Sequence, residues 1–64
     1  MLTDRQLDVL GLLARGLTSD DTARLLGMSP FTVKKHSQEA RTRLQARNTA
    51  HAVAIALRAG LIVP

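Results

Sequence analysis

The sequence predicts an all-α fold, a compact domain of four helices that contains a helix-turn-helix. Apolar residues recur at the three- and four-residue spacing of helices, and no segment shows the two-residue alternation of a strand. Capping residues, glycines and a proline mark the ends of four segments. The 64 residues make one domain, 1–64. A chain this short buries only about 60% of its unfolded surface, so we expect no large active-site cavity.

The first two predicted helices each begin with a threonine cap. Thr3 precedes Gln6 by three residues, which is the spacing of a capping box, and the leucines that follow recur at helical spacing. Gly16 ends this helix, because glycine adopts the left-handed conformation that a helix terminus often requires. Thr18 repeats the capping pattern and opens a short second helix, which Gly27 stops.

The third and fourth predicted helices are also marked at both ends. Ser29 is expected to cap the third helix, with Pro30 at its first position. Proline suits this position because its missing N–H costs nothing there. We expect this helix to run to about Gln45. Asn48 or Thr49 caps the fourth helix, which is predicted to end at Gly60.

Three residues predict that the second and third helices form the helix-turn-helix. Ala23 is small enough to let two helices approach, Gly27 can make the tight turn, and Val33 can pack the next helix onto the previous one. Together with caps on both helices, this spacing favours a helix-turn-helix over a generic helical bundle.

Basic residues are concentrated in the second half of the chain. The net charge of +4 divides into −1 for residues 1–32 and +5 for residues 33–64. Five of the six basic residues in the second half lie between Lys34 and Arg47. A basic stripe on one segment is expected of a protein that binds a polyanion. The alternative interpretation is an ordinary solvated helix face.

The composition argues against several other classes of protein. The chain has no cysteine, so disulfides and thiolate metal sites are excluded. No Ser–His–Asp order is compelling, and we expect His36 to be packed rather than to bind a metal. We therefore expect no catalytic residue, no metal and no cofactor. No apolar run approaches the roughly 20 residues that cross a membrane, and we expect a cytoplasmic protein that does not bind membranes.

The predicted third helix has two different faces. At 100° per residue, one face is small or apolar and the other carries long polar side chains. The first face comprises Val33, Ser37, Ala40 and Leu44, with His36 at its margin. The second face comprises Phe31, Lys34, Lys35, Gln38, Thr42 and Gln45. Its donors suit the major groove of DNA, where lysine pairs with guanine and glutamine with adenine.

The motifs "LT-x-R", "VL-x-LLA-x-GL", "S-x-x-TVK-x-H" and "A-x-x-x-GLI" occur in this order between Leu2 and Ile62. Over this range the sequence resembles the four-helix DNA-binding domain of LuxR-type (GerE-type) transcription regulators. The resemblance implies a domain that binds double-stranded DNA as a dimer, with the third helix in the major groove and the fourth at the dimer contact. Because Met1 stands directly before the motifs, we expect no input domain on this chain.

The resemblance also implies roles for individual residues. The side chains at the base-reading positions are Lys34, Lys35 and Gln38. Those expected to contact or position phosphates are Thr18, Thr32, Arg43, Arg47 and Asn48. Phe31 and Thr42 are candidates for a further base contact or for a protein partner, and the alternative for Phe31 is a ring folded back over the helix junction. His36 is expected to be packed, and His51 to be a surface histidine or a phosphate contact.

Four residues depart from the family pattern. Thr22 and Ala40 stand where the family usually has large aliphatic side chains, so we expect a smaller or more polar core. Asp20 stands where lysine is frequent, and its carboxylate should weaken a contact with the DNA backbone. Leu7 replaces a usual polar residue and is expected to form an exposed apolar spot.

The fourth helix is apolar on both sides, which predicts a second contact besides the core. The side assigned to the core carries Ala50, Val53, Ala54, Leu57 and Leu61. The side assigned to a weak homodimer carries Ala52, Ile55, Ala56 and Ala59. The alternative is that alanine is simply a good helix former at exposed positions.

The sequence thus predicts a small transcription regulator that binds double-stranded DNA sequence-specifically, as a homodimer when on DNA. The alternative is a protein-interaction module, an adaptor or inhibitor of a transcription regulator that reuses the helix-turn-helix fold. Asp20, the predicted exposed position of Phe31 and the expected absence of an input domain favour this alternative.

Overall fold

The computed structural model describes all 64 residues, and it contains four helices and no strand. The helices are α1 (Asp4–Ala14), α2 (Ser19–Leu26), α3 (Pro30–Arg43) and α4 (Thr49–Arg58). This arrangement confirms the predicted all-α fold. None of the four helices is long and apolar enough to cross a membrane.

The helices begin at the predicted caps. The Thr3 hydroxyl accepts the Gln6 N–H at 3.1 Å, and the Gln6 side-chain oxygen accepts the Thr3 N–H at 3.0 Å. Thr18 and Asp21 form the same reciprocal pair at the start of α2. The Ser29 hydroxyl accepts the Thr32 N–H at 3.1 Å, with proline at the first position of α3. Each cap satisfies backbone donors that have no partner within the helix.

All four helices end in a left-handed residue followed by a hydrogen bond that closes the last turn. Glycine occupies the left-handed position after α1, α2 and α4, whereas Gln45 occupies it after α3 with φ 55°. The next residue, Ala46, donates its N–H to the Arg41 carbonyl at 2.9 Å. This geometry satisfies orphan carbonyls at the helix end. The prediction that α3 continues to Gln45 is therefore wrong by two residues, because Arg43 is its last helical residue.

Two groups of buried side chains form the core. The main core joins α1, α3 and α4 through Leu10, Ala40, Ala46, Ala52, Ala56 and Ile62. The turn core joins α1, α2 and α3 through Val9, Ala23 and Val33. Ala23 and Val33 are 3% and 0% exposed, which confirms the predicted packing of the helix-turn-helix. The position and tilt of α3 are thus fixed by apolar contacts on its inner face.

The predicted orientation of α4 is wrong in part, although Val53 and Leu57 pack against the main core as expected. Ala52 and Ala56, which were assigned to the dimer contact, are 0% exposed and belong to the main core. Ile55 is half-buried and packs against the same core. Among the residues assigned to the dimer, Ala59 alone is exposed. Small side chains face inward because α4 packs against both α1 and α3, and alanine lets helices approach closely.

The four departures from the family pattern lie in different environments. Thr22 is fully buried, and its hydroxyl has no hydrogen-bond partner. Ala40 is also fully buried, so both positions make the core more polar or smaller as expected. Asp20 is exposed. Leu7 is half-buried against the main core, and the prediction of an exposed apolar spot there is wrong.

Candidate nucleic-acid interface

The outer face of α3 presents polar side chains that the inner face holds in place. Val33, Ser37 and Ala40 are buried, which directs the opposite face of the helix to solvent. The predicted base-reading residues Lys34, Lys35 and Gln38 are all exposed, as is Thr42. Part of this face is a shallow depression lined by Lys35, Gln38, Glu39, Arg41, Thr42 and Arg43. The structure therefore brings the predicted base-reading residues together on one helix.

Two of the predicted phosphate contacts are threonines at the starts of helices. The Thr32 hydroxyl lies 3.0 Å from that of Ser29, beside the first turn of α3. Backbone N–H groups at such a helix terminus favour an anion. At the start of α2, however, the Thr18 hydroxyl accepts the N–H of Asp21, whose carboxylate already occupies that terminus. Thr18 is therefore a weaker candidate than Thr32.

Asp21 remains negatively charged beside Thr18. Hydrogen bonds from Thr18 and then from Arg24 hold the pKa of the Asp21 carboxyl below its usual 3.8. Arg24 donates to this carboxylate at 3.0 Å. A charged Asp21 next to Asp20 repels phosphate, so α2 offers a less favourable surface to DNA than α3 does.

The predicted phosphate-binding arginines differ in how much of the guanidinium is already bonded. Arg43 donates to the Met1 carbonyl, which connects the end of α3 to the start of the chain. Arg47 is exposed, and its side chain has no partner within the chain. Arg41, which the sequence did not single out as a site residue, is half-buried and donates to the Ala46 carbonyl at 3.3 Å. Arg41 thus stabilises the turn that carries Arg47.

Asn48 and His51 organise the start of α4 beside Arg47. The Asn48 side-chain oxygen accepts the His51 N–H at 2.8 Å, which confirms Asn48 as the cap. The His51 Nδ1 accepts the backbone N–H of Arg47 at 3.0 Å. This role of His51 was not predicted, although His51 stands three residues after its cap, as Gln6 does after Thr3. The spacing was the available signal.

The structure also shows how far Phe31 and His36 are exposed to solvent. The Phe31 ring is 77% exposed, so the alternative that it folds back over the helix junction is wrong. His36 is half-buried, and its Nδ1 lies 3.9 Å from the Glu39 carboxylate. Glu39 also accepts a hydrogen bond from Gln6 at 3.4 Å, which connects α3 to α1. No group of three histidine, cysteine, aspartate or glutamate side chains is placed to hold a metal ion.

The family model of bacterial regulatory proteins of the LuxR family, GerE, matches residues 1–56 of the chain. The chain belongs to the LuxR family. The solved structure described as that of the transcription factor GerE has a TM-score of 0.92 and 27% sequence identity, and the match covers 97% of this chain and 92% of that one. The LuxR-family domain is a DNA-binding regulatory fold rather than that of an enzyme.

Named relatives in the LuxR family are transcription regulators. The quorum sensing-dependent transcriptional regulator VjbR of Brucella ovis is 37% identical over 62 residues, which are 97% of this chain and 24% of VjbR. The transcriptional activator protein CarR of Pectobacterium carotovorum is 36% identical over 61 residues, which are 95% of this chain and 25% of CarR. The chain therefore spans about a quarter of the length of these relatives.

Proposed function

We propose that this chain binds double-stranded DNA sequence-specifically in the cytoplasm, as the DNA-reading domain of a transcription regulator, with α3 in the major groove. The observation that carries the proposal is the division of α3 into two faces. One face is buried against the rest of the domain, and the other exposes Lys34, Lys35 and Gln38. A rigid helix with exposed long donors suits the groove, where bases present their hydrogen-bonding edges.

The exposed residues divide into base contacts and phosphate contacts. Lys34 and Lys35 supply donors for guanine acceptors, and Gln38 can pair with adenine through both atoms of its amide. Arg47 and Arg43 lie at the end of α3 and beyond it, where a long cation can reach the DNA backbone. Phosphate contacts of this kind position a domain without specifying the sequence.

The direct experiment is selection of duplexes from a random DNA pool by the wild-type chain. Enrichment of one motif, followed by tighter binding to it than to a scrambled duplex, supports the proposal. Lys34→Ala should lose this preference, whereas Arg5→Ala removes a charge from α1 and should keep it. Failure of the wild-type chain to enrich any motif would overturn sequence-specific binding.

A homodimer through α4 remains part of the proposal, but through a face different from the one that the sequence predicted. Ala50 and Arg58 are exposed, and Ala54 lies between them at four-residue spacing. Ala54 is half-buried and is absent from both cores. Two domains joined along this face would present two α3 helices to an inverted repeat.

The homodimer is tested with Ala54→Glu, and Ala59→Glu, at the exposed position directly after α4, is the control. Both variants should fold, as judged by thermal unfolding. Ala54→Glu should lose the advantage of a two-half-site duplex over a single half-site, while Ala59→Glu should keep it. Equal two-site binding by wild type and Ala54→Glu would remove this face from the dimer contact.

A protein-interaction module is the second candidate function. The observation that favours it is a pair of exposed apolar residues on the helix-turn-helix, Leu25 at 66% and Phe31 at 77% exposure. Salt dependence distinguishes the two candidates, because a protein that binds DNA releases counterions from the phosphates. The logarithm of its affinity for DNA then falls with the logarithm of the salt concentration, with a slope of about 0.9 for each phosphate contacted. A chain that showed no measurable binding to duplex DNA at low salt would favour the protein partner.

A further inference from the structure

Phe31 is an apolar residue in a position where the neighbouring side chains are polar. It is the one aromatic residue in the sequence, and it is 77% exposed. A single exposed apolar side chain is ordinary on a protein surface. Its place on the face of α3 that is proposed to enter the major groove, rather than its exposure, indicates a function.

The start of α3 holds Phe31 in a defined position. Ser29 caps the helix and Pro30 occupies its first position, so Phe31 is the second helical residue. Gln38 follows Phe31 by seven positions, which is close to two full turns, and the two side chains therefore share one face. They lie about 10 Å apart along the axis at a rise of about 1.5 Å per residue.

The chemistry of the phenyl ring limits what it can contact in the major groove. It has no hydrogen-bond donor or acceptor for the polar base edges. The thymine 5-methyl group is the apolar feature of those edges, and a phenylalanine can pack against it. The N-terminal residues of the second helix of a helix-turn-helix contact base edges, and Phe31 is such a residue.

We propose that Phe31 is a specificity-determining residue that contacts the 5-methyl group of a thymine in the half-site that Gln38 also reads. This inference rests on the proposed function, because it requires α3 to lie in the major groove. The competing occupant is a protein partner that covers Phe31 and the exposed Leu25 together.

Uracil substitution isolates the methyl group, because deoxyuridine keeps every hydrogen-bonding group of thymidine and lacks only the 5-methyl. The probe is the duplex that wild-type chain selects from a random pool, with each thymine replaced in turn by uracil. Wild type should lose affinity about fourfold at one thymine, which corresponds to about 0.8 kcal/mol, the value of one buried methylene-sized group. Phe31→Ala should bind the thymine and uracil duplexes equally at that position.

Leu25→Ala is the matched control, since it removes another exposed apolar side chain from the helix-turn-helix and should leave the thymine preference intact. Thermal unfolding verifies that Phe31→Ala folds, as expected for an exposed residue. The inference is overturned if wild type tolerates uracil at every position, or if Phe31→Ala keeps the thymine preference. Absence of any selected motif would instead overturn the proposed function itself.

Discussion

The imidazole Nδ1 of His51 accepts a hydrogen bond from the backbone N–H of Arg47 at 3.0 Å. The backbone N–H of His51 donates a second hydrogen bond, to the side-chain oxygen of Asn48 at 2.8 Å. A neutral imidazole can accept at Nδ1 when its proton is on Nε2. The two bonds hold the turn between α3 and α4, where Arg47 is proposed to meet the DNA backbone. His51 is thus a positioning residue for that turn.

Replacing the acceptor at His51 should destabilise the domain in a graded way. His51→Ala should lower the free energy of unfolding by about 1 kcal/mol, the usual effect of losing a capping interaction. His51→Gln should lose less, because glutamine offers an acceptor at the same spacing, as Gln6 does after Thr3. Chemical denaturation at neutral pH gives both values. No loss of stability in His51→Ala would mean that the Arg47 hydrogen bond contributes nothing measurable.

The buried Thr22 hydroxyl should be a source of instability. It is fully buried without a hydrogen-bond partner, and leaving such a group unsatisfied costs about 1–3 kcal/mol. Thr22→Val keeps the branched shape and removes the hydroxyl, so we expect the free energy of unfolding to rise by about 1–2 kcal/mol. Thr42→Val, the same change at an exposed position of α3, is the control. A destabilised Thr22→Val would show that the hydroxyl has a partner.

Gln45 adopts a left-handed conformation after α3, whereas a glycine adopts it after each of the other three helices. A side chain in this conformation costs about 1–2 kcal/mol, although glycine also has more freedom to lose on folding. Gln45→Gly should therefore raise the free energy of unfolding by up to about 1 kcal/mol. The measurement is the denaturant midpoint at constant slope, and Gln38→Gly inside α3 should show the opposite sign. A lowered midpoint for Gln45→Gly would contradict the assigned geometry.

Asp21 should make stability depend on pH in the acid range. Hydrogen bonds from Thr18 and Arg24 lower the pKa of this carboxyl from its usual 3.8, so the unfolded chain takes up the proton first as the pH falls. The stabilisation is then fully present above pH 3.8 and is lost as the pH falls through the lower folded pKa. Asp21→Asn should show a shallower loss of stability below pH 3.8 than wild type, with Asp20→Asn as control. Identical acid profiles for wild type and Asp21→Asn would contradict the pairing.

Local signals predicted most of the fold. Caps such as Thr3 with Gln6 act within one helical turn, so the residues that determine them stand close together in the sequence. The inner face of α3 was equally predictable, because Val33 and Ala40 contrast with the lysines on the other side. The exposed positions of Lys34 and Gln38 followed from the same contrast.

The features that the sequence analysis missed depend on contacts between distant segments or on unusual residues. Both sides of α4 carry alanines, so periodicity could not show that Ala52 and Ala56 pack against Leu10 and Ala40 in one core. The left-handed conformation at Gln45 could not be predicted, because no glycine stands at that position. His51 stood at the right spacing from its cap, but imidazole is not one of the side chains that define a capping box.

The measurement that tests the account most directly compares wild type, Lys34→Ala and Arg47→Ala across all single-base variants of the selected duplex. Lys34→Ala should cost about 1–3 kcal/mol on the preferred site and should relax the preference at one or two positions, because it removes a base contact. Arg47→Ala should weaken every duplex by a similar factor and reduce the salt dependence by about one phosphate contact. If Lys34→Ala instead lost affinity uniformly across the variants, the outer face of α3 would not determine the DNA sequence.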